Sequence, residues 1–343
     1  GSTIKSITNS GTIKGANDRD SKGIYIGGNN SKIENITNEK GGVITGNGNG
    51  IQIDGRGTLQ NLNNKGTIKG GSNGMYVGGG TINTLVNDNT IMGNNYGMHI
   101  QNASKIDKIE SNGVINGGQS GIYIDDIRYG GVKIKTIHNG KNGVIEANGD
   151  GIKFRGSWNN IETLKNEGTI KGGNNGIYGH GNGQIIGNVI NSGLIQGEKN
   201  GIFVEYAKFG SITLENGGAI VGIQNNGIYS YQDIENIQLN NKSTIYGKQN
   251  GVFGNANMGT IEVKSGSSII GVEGSGVIAS NEWGKTNGIT VEGEHSLIGG
   301  GTTAITVKKT VGTFEDGNSI SLNDNATIAA LTFSEDGSTY TYN

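Results

Sequence analysis

The stretch NNKGTIKGGSNGMYV, residues 63–77, sets the pattern for most of the chain. Its outline returns as NEGTIKGGNNGIYG at residues 166–179 and as NSGLIQGEKNGIFV at residues 191–204. In each copy an apolar residue stands two positions before a glycine. A few residues later, a second glycine is followed directly by another apolar residue. The motif carries no acid pair and no set of metal ligands. Its recurrence therefore predicts an architectural repeat rather than a catalytic site.

Two anchors measure the period of this repeat. The first anchors are Ile13, Ile44, Ile68, Ile91, Ile115, Ile145, Ile170, Ile195, Ile220, Ile245, Ile269 and Leu297. The second anchors are Gly23, Gly50, Gly74, Gly97, Gly121, Gly151, Gly176, Gly201, Gly227, Gly251 and Gly276, with Ala304 in the twelfth repeat. From Gly23 to Ala304 the chain advances 281 residues over 11 intervals, or about 25.5 residues per repeat. Such regular spacing indicates a stacked array.

Each repeat contains three short apolar clusters separated by Gly/Asn turns. The clusters are too short for helices and rich in β-branched residues, so they predict strands. Equivalent positions align from repeat to repeat, as they do when each strand stacks in parallel on its own equivalent. We therefore expect an all-β fold, a single right-handed parallel β-helix of about 12 coils with three short strands per coil.

A column of asparagines precedes the first anchor. Its predicted members are Asn9, Asn38, Asn64, Asn87, Asn139, Asn166, Asn191, Asn216 and Asn241. Asparagine tolerates the left-handed backbone of a turn, and its amide can bond to an equivalent amide one coil above or below. We interpret this column as a structural ladder.

Composition excludes several classes of protein. The 343 residues include 27 basic and 29 acidic side chains, which leaves no basic footprint for nucleic acid. No apolar run is long enough for a transmembrane helix, so we expect no direct membrane insertion of this segment. Cysteine is absent and the four histidines fall in four different repeats. We therefore expect no cofactor and no metal site.

The pattern Asn-x-Gly-x-Ile-x-Gly followed by Gly-Ile resembles the passenger domains of bacterial autotransporters, over about residues 3–311. Those passengers are right-handed parallel β-helices. The resemblance implies secretion to the bacterial surface or beyond, and a role in adhesion, self-association or toxin delivery. Residues 1–2 are interpreted as an expression scar, and residues 312–343 as a final irregular coil or C-terminal cap of the same domain.

Polysaccharide-degrading enzymes share this architecture, and two short motifs resemble theirs. Gly179-His180-Gly181 and the pair Asp125-Asp126 are similar to elements of polygalacturonases, but the partner motifs of that family are missing. A lyase would need an acidic calcium cluster beside a basic arginine, and the sequence contains no dense acidic cluster. No catalytic residue is therefore assigned, and a polysaccharide lyase or hydrolase stays an alternative.

Two surface features remain as candidates for binding. Aromatic residues follow the Gly-Ile pair and should point outward if their neighbours point inward; this predicted exposed stripe contains Tyr25, Tyr76, Tyr123, Tyr178, Phe203, Tyr229 and Phe253. The loop after the same strand varies most in length, as binding edges of solenoids do. The candidate ligand-binding residues at or near that loop are Arg128, Tyr129, Arg155, Trp158, Tyr206, Phe209 and Trp283.

These observations favour a non-enzymatic, surface-exposed adhesin or self-association module. Its expected partners are a host glycan, a host receptor or another copy of itself, bound along the side of a rigid rod through many weak contacts. The cell-binding portion of a secreted toxin is a further alternative.

Overall fold

The structure, a computed structural model, describes residues 1–126, 130–156, 158–181, 185–281, 286–309, 320–334 and 340–342. These residues divide into two compact units. Unit 1 contains residues 1–173 and 180–185, and unit 2 contains residues 174–179 and 186–343. The chain is all-β, with strands over 66% of its residues.

Unit 1 contains the first 20 described strands. They are β1 (Thr3–Asn9), β2 (Thr12–Lys14), β3 (Lys22–Ile26), β4 (Lys32–Asn38), β5 (Val43–Gly46), β6 (Asn49–Asp54), β7 (Thr58–Asn64), β8 (Thr67–Gly70), β9 (Asn73–Gly78), β10 (Thr81–Asn87), β11 (Thr90–Gly93), β12 (Tyr96–Gln101), β13 (Lys105–Ser111), β14 (Val114–Gly117), β15 (Ser120–Asp126), β16 (Lys133–Asn139), β17 (Val144–Ala147), β18 (Asp150–Gly156), β19 (Asn160–Asn166) and β20 (Thr169–Gly172).

Every third strand of unit 1 belongs to the same parallel sheet. Sheet A begins with β1, β4 and β7, sheet B with β2, β5 and β8, and sheet C with β3, β6 and β9. Pairing in register confirms the predicted period: Ile44 lies opposite Ile68, and Ile68 lies opposite Ile91. These anchor side chains are fully buried. Unit 1 is therefore a parallel β-helix with three strands per turn and an isoleucine-rich core.

Unit 2 contains the remaining described strands. They are β21 (Asn175–Gly179), β22 (Ile185–Asn191, whose first residue is assigned to unit 1), β23 (Leu194–Gly197), β24 (Asn200–Val204), β25 (Lys208–Leu214), β26 (Ala219–Gly222), β27 (Ile228–Ser230), β28 (Ile234–Leu239), β29 (Thr244–Gly247), β30 (Val252–Gly254), β31 (Met258–Lys264), β32 (Ser268–Gly271), β33 (Ser275–Asn281), β34 (Thr286–Glu292), β35 (Leu297–Gly300), β36 (Thr303–Lys309), β37 (Ile320–Asn323), β38 (Thr327–Phe333) and β39 (Tyr340–Tyr342).

Unit 2 has the same three-sheet arrangement. Ile220 lies opposite Ile195 and Ile245, and all three side chains are fully buried. Counted together, the two units have about 12 turns, which confirms the predicted fold class. In the predicted C-terminal segment, β37 and β38 pair in parallel with β34 and β35, whereas β39 pairs with β38 in antiparallel. The predicted boundary at residues 311–312 falls outside the described residues.

The glycine of the Gly-apolar pair has a packing role. A Cβ built on Gly50 would lie 2.6 Å from the carbonyl oxygen of Gly74 and 2.8 Å from Cγ2 of Ile68. A substitution would therefore push the next coil away. Gly50 and Gly74 are absent from the residues with positive φ, so no left-handed turn requires glycine at these positions. Close approach between coils is the physical reason for glycine here.

Candidate functional site

Aromatic side chains on sheet C are the most concentrated candidate surface in each unit. The predicted alternation is seen at β3, where Ile24 and Ile26 are buried and Tyr25 between them is 58% exposed. Elsewhere the aromatic residues pack against one another. The column divides into an enclosed cluster in unit 1 and an open one in unit 2.

The enclosed cluster of unit 1, named here the tyrosine–histidine cluster, consists of Tyr76, Tyr96, His99 and Tyr123. The ring of Tyr123 stacks on Tyr96 with centroids 4.6 Å apart, and on His99 with centroids 5.0 Å apart. His99 also meets the ring of Tyr76 edge-on, with centroids 5.4 Å apart. Two members, Tyr96 and His99, are not part of the aromatic stripe predicted from the sequence. The available signal was Gly97-Met98-His99, which places His99 in the aromatic column.

Tyr123 contradicts its predicted place in the exposed stripe, because only 5% of it is exposed. Its side chain leaves the core as strand alternation requires, but neighbouring rings cover it. Its hydroxyl donates a hydrogen bond to Oδ2 of Asp125 at 3.0 Å. Burial raises the pKa of the Tyr123 hydroxyl, and the nearby charge of Asp125 raises this pKa further. Tyr123 is thus part of a packed, polar-edged cluster.

His99 is held as a neutral imidazole. Burial lowers the pKa of His99 to about 4, because desolvation disfavours the charged ring. Its Nε2 atom is buried without a hydrogen-bond partner among the described residues. At neutral pH the ring therefore acts as an aromatic spacer between tyrosines rather than as a charge.

The open cluster of unit 2, named here the aromatic platform, consists of Tyr178, Phe203, Tyr229, Tyr231 and Phe253. Phe203 stacks between Tyr178 and Tyr229, with both centroid distances 5.2 Å. Tyr231 leans against Tyr229 with centroids 4.8 Å apart and is 41% exposed. Tyr231 was missed in the sequence because it lies two residues after the aromatic position, on the same face of the chain.

Polar groups fix the edge of the aromatic platform. The hydroxyl of Tyr178 donates a hydrogen bond to Oε2 of Glu205, and that of Tyr229 donates to the hydroxyl of Tyr231. Burial raises the pKa of Tyr229, and its hydrogen bond to Tyr231 raises it further. Tyr178, Phe203, Tyr229 and Phe253 are half-buried, so the stripe predicted as exposed is only partly open here.

The predicted loop residues have different environments. In unit 1, Trp158 is 71% exposed with a positive φ of 68°, and Arg155 is exposed beside Tyr123, to which it is hydrogen-bonded. In unit 2, Tyr206 is 47% exposed. Phe209 contradicts its prediction as a ligand-binding residue. It is buried opposite Ile234, because it occupies the inward apolar position at the start of its strand.

Three further predicted loop residues cannot be placed. Arg128, Tyr129 and Trp283 lie outside the described residues. Of the predicted loop, the described part thus offers Arg155 and Trp158 in unit 1 and Tyr206 in unit 2 as surface groups.

The asparagine column is a buried chain of hydrogen bonds in unit 1. Nδ2 of Asn9 donates to Oδ1 of Asn38 at 2.8 Å, Asn38 donates to Asn64 at 2.8 Å, and Asn64 donates to Asn87 at 2.7 Å. Asn139 likewise donates to Asn166 at 2.8 Å. These side chains are buried, so their contacts support a structural interpretation.

Two predicted ladder members in unit 2 are exposed turn residues instead. Asn216 and Asn241 have positive φ angles of 53° and 55°, and their amides are 3.5 Å apart at the surface. Asn191 is still buried, but the equivalent positions in the next coils are the buried Leu214 and Leu239. The turn begins after the leucine, which moves the asparagine out of the interior.

A second amide column, on sheet C, was missed in the sequence. In unit 1, Asn73 donates to Asn49 at 2.8 Å. In unit 2, Asn200 donates to Asn175 at 3.0 Å and Asn226 donates to Asn200 at 3.2 Å. The signal was the Asn-Gly-apolar triplet that opens several of these strands. Each of Asn73, Asn175, Asn200 and Asn226 stands three residues before an aromatic position of the same coil.

The residues compared with catalytic motifs have structural partners. Oδ2 of the buried Asp126 accepts backbone hydrogen bonds from Ala103 at 2.6 Å and Gly131 at 3.0 Å. The backbone N–H of His180 donates to the carbonyl of Phe154 at 2.8 Å. Among the residues that the structure describes, no three histidines, cysteines or acids are grouped to hold a metal ion. The described part also contains no helix suited in length and hydropathy to spanning a bilayer.

Comparison with known proteins assigns this chain to no family. No protein-family model, no curated protein and no solved structure matches this chain. The assignment to the parallel β-helices rests on the registers and buried columns described above, and the resemblance to autotransporter passengers stays a prediction.

Proposed function

We propose that the protein is a non-catalytic carbohydrate-binding adhesin that is displayed at the bacterial surface. The aromatic platform of unit 2 would form its binding site. The observation that carries this proposal is the fixed stack of Tyr178, Phe203 and Tyr229, which supports the 41%-exposed ring of Tyr231.

The platform has the chemistry that a sugar requires. Tyrosine rings offer an apolar face and a hydroxyl at the rim, and buried packing removes most of their conformational freedom before binding. Glu205 adds a carboxylate at the edge, hydrogen-bonded to Tyr178. A few polar groups beside an apolar face fix the orientation of a ligand. The C–H face of a pyranose would lie on Tyr231 and its hydroxyls would reach the rim.

Adhesion follows from weak sites used together. A shallow aromatic surface gives modest affinity for one sugar, and many copies at a cell surface raise the avidity strongly. A host receptor or a second copy of the chain would bind the same platform through its apolar rings, and these are outcomes of the test.

A glycan array and titration calorimetry test this proposal with wild-type protein and the variant Tyr231→Ala. We expect Tyr231→Ala to weaken binding of the selected glycan about tenfold or more, as hot-spot aromatics do. Tyr25→Ala is the matched control, because Tyr25 is an exposed sheet-C tyrosine outside the platform, and it should bind as the wild type does.

Three results would contradict the proposal. They are equal glycan binding by Tyr231→Ala and wild type, sedimentation of the purified chain as an oligomer without any glycan binding, and depolymerisation of the selected polysaccharide. Trp158→Ala belongs in the same series, since reduced binding in that variant would assign the site to the predicted loop of unit 1.

A further inference from the structure

Two lysines lie directly opposite each other on sheet A of unit 1. Lys105 begins β13 and Lys133 begins β16, and their Cα atoms are paired in register. Both side chains are exposed and point to the same side of the sheet, because Ile106 and Ile134, which follow them, point into the core. Neighbouring strands are about 4.8 Å apart, so the two ammonium groups are held in one small region.

Several other lysines of the same sheet are paired with acidic side chains. Lys108, Lys135 and Lys165 each lie within 4 Å of a carboxylate oxygen, at 2.5, 2.8 and 2.7 Å. Lys32, nearer the beginning of the chain, lies 3.2 Å from Glu34. In the part of the chain that the structure describes, neither Lys105 nor Lys133 has a carboxylate within that distance. Their positive charges are therefore available to a ligand.

Like charges directly opposite each other on neighbouring strands destabilise a sheet. The sheet could relieve this repulsion with an acid in either position, as it does elsewhere. Instead the next residue in the same column is Asn160, whose amide adds hydrogen-bonding capacity without charge. An anion placed between the lysines would remove the repulsion and gain two charge-assisted hydrogen bonds.

A groove of about 270 Å³ crosses these three strands. Besides the lysines and Asn160, it is lined by a second row of Asp107, Lys135 and Glu162. Nζ of Lys135 lies 2.8 Å from Oδ1 of Asp107, and the hydrogen bond and charge of Asp107 raise the pKa of Lys135. Lys135 and Asp107 thus form an ion pair, and Glu162 adds a further carboxylate acceptor to that row. The groove thus combines a cationic row with a row that suits hydroxyl groups.

We propose that this groove binds carboxylated sugar units of an acidic polysaccharide. The carboxylate lies between Lys105 and Lys133, and the sugar hydroxyls meet Asn160 and Glu162. The strand spacing is close to the length of one sugar unit, so consecutive units extend across consecutive coils. The groove belongs to unit 1 and the aromatic platform to unit 2, so the two proposals depend on different residues and fail separately.

The test measures binding of oligogalacturonate and of its methyl ester, which has the same sugar chain without the charge. We expect wild-type protein to bind the acid at least tenfold more tightly than the ester. The double variant Lys105→Gln/Lys133→Gln should bind the acid at least tenfold more weakly than wild type. Its midpoint of thermal unfolding should not fall, since the substitution removes a repulsion. A lower midpoint would contradict the assignment of these lysines to a ligand.

Lys208→Gln is the matched control. Lys208 begins β25 of unit 2 at the equivalent strand position, where the neighbouring strand presents Asp233 before Ile234 rather than a second lysine. Acid binding should be unchanged in this variant. Equal binding of the acid and its ester, or undiminished binding by the double variant, overturns the proposal. Equally tight binding of dextran sulfate or inorganic sulfate overturns its sugar-acid specificity and indicates a general anion site.

Discussion

The two units place aromatic rings at the same position of sheet C, with different results. In unit 1, Tyr96 occupies a position that is asparagine in the preceding coil, and its ring covers Tyr123. In unit 2, that position remains asparagine, as in Asn200 and Asn226, and the short amides leave the adjacent rings half-open. The side chain at this position thus contributes to whether an outward-pointing ring is enclosed or stays accessible.

The inner columns of sheet A differ in a related way. Unit 1 fills one buried position with Asn38, Asn64 and Asn87, each hydrogen-bonded to the next. Unit 2 fills the equivalent position with Leu214 and Leu239. The fold accommodates either asparagine or leucine at this position, because a hydrogen-bonded amide and an apolar side chain can both be buried without an unsatisfied polar group.

The largest effect on stability should follow from placing an asparagine in the buried leucine column of unit 2. Leu239→Asn would bury an amide between Leu214 and Val263, neither of whose side chains can donate a hydrogen bond to the amide oxygen. We expect the free energy of unfolding to fall by about 4 kcal/mol, from lost apolar burial and an unsatisfied polar group. Urea denaturation measures this change. Leu239→Met is the control and should cost less than about 1.5 kcal/mol. Similar stability of both variants would show that this position tolerates polarity.

A somewhat smaller effect should distinguish the two aromatic clusters. Tyr123→Ala removes a buried ring that stacks on two neighbours, and should lower the free energy of unfolding by about 3 kcal/mol. Tyr229→Ala removes a half-buried ring and should cost about 1 kcal/mol. Chemical denaturation followed by circular dichroism measures both changes. Equal losses would contradict the distinction between an enclosed and an open cluster.

The tyrosine–histidine cluster should also make stability depend on pH. The pKa of His99 is about 4 in the folded chain, whereas an unfolded histidine titrates near 6.5. Between these values the unfolded chain binds more protons, so the contribution of His99 is complete above about pH 6.5 and is lost as pH falls towards 4. We expect a loss of about 2 kcal/mol between pH 7 and pH 5.

The variant His99→Phe isolates this contribution. It keeps an aromatic ring in the cluster but cannot be protonated, so its stability should change less between pH 7 and pH 5 than that of wild type. Unfolding curves at matched pH values give the difference. Parallel pH profiles for the two proteins would show that His99 is protonated as readily in the folded chain as in the unfolded one.

The smallest effect should come from opening the enclosed cluster. Tyr96→Asn restores the residue found at this position in unit 2, and should cost about 1 kcal/mol because Tyr96 is only half-buried. Its more informative result is the pKa of His99, which should rise towards its usual value as water reaches the ring. NMR titration of the His99 ring measures this pKa. An unchanged pKa would show that other neighbours bury His99.

Most of the fold follows from the sequence because stacking imposes the repeat. An isoleucine at the anchor position must meet isoleucines in the coils above and below, as Ile68 meets Ile44 and Ile91. The glycine before the apolar residue must admit the next backbone, as Gly50 does. Such constraints recur from coil to coil, so they are visible as a period.

The candidate sites are harder to predict from the sequence, because they depend on residues that depart from the repeat. Strand alternation predicts that Tyr123 leaves the core, but the covering of its ring depends on Tyr96 in another coil. The sequence predicts a loop position for Phe209 because the variable length of this segment hides the strand boundary, although the spacing of Phe209 to Ile212 matches the inward pair of other coils. The repeat predicts Asn216 and Asn241 as ladder members because a shift of two residues at a turn does not alter the period.

The direction of the amide chains in unit 1 has an electrostatic consequence. On sheet A each asparagine gives its hydrogen to the coil that follows in the chain, from Asn9 to Asn38 and on to Asn64. On sheet C the order is reversed, because Asn73 gives its hydrogen to Asn49 in the coil before. Aligned amide dipoles add, as they do along a helix. The Asn73–Asn49 pair therefore opposes the chain on sheet A, so the summed amide dipole of unit 1 is smaller than that chain alone would give.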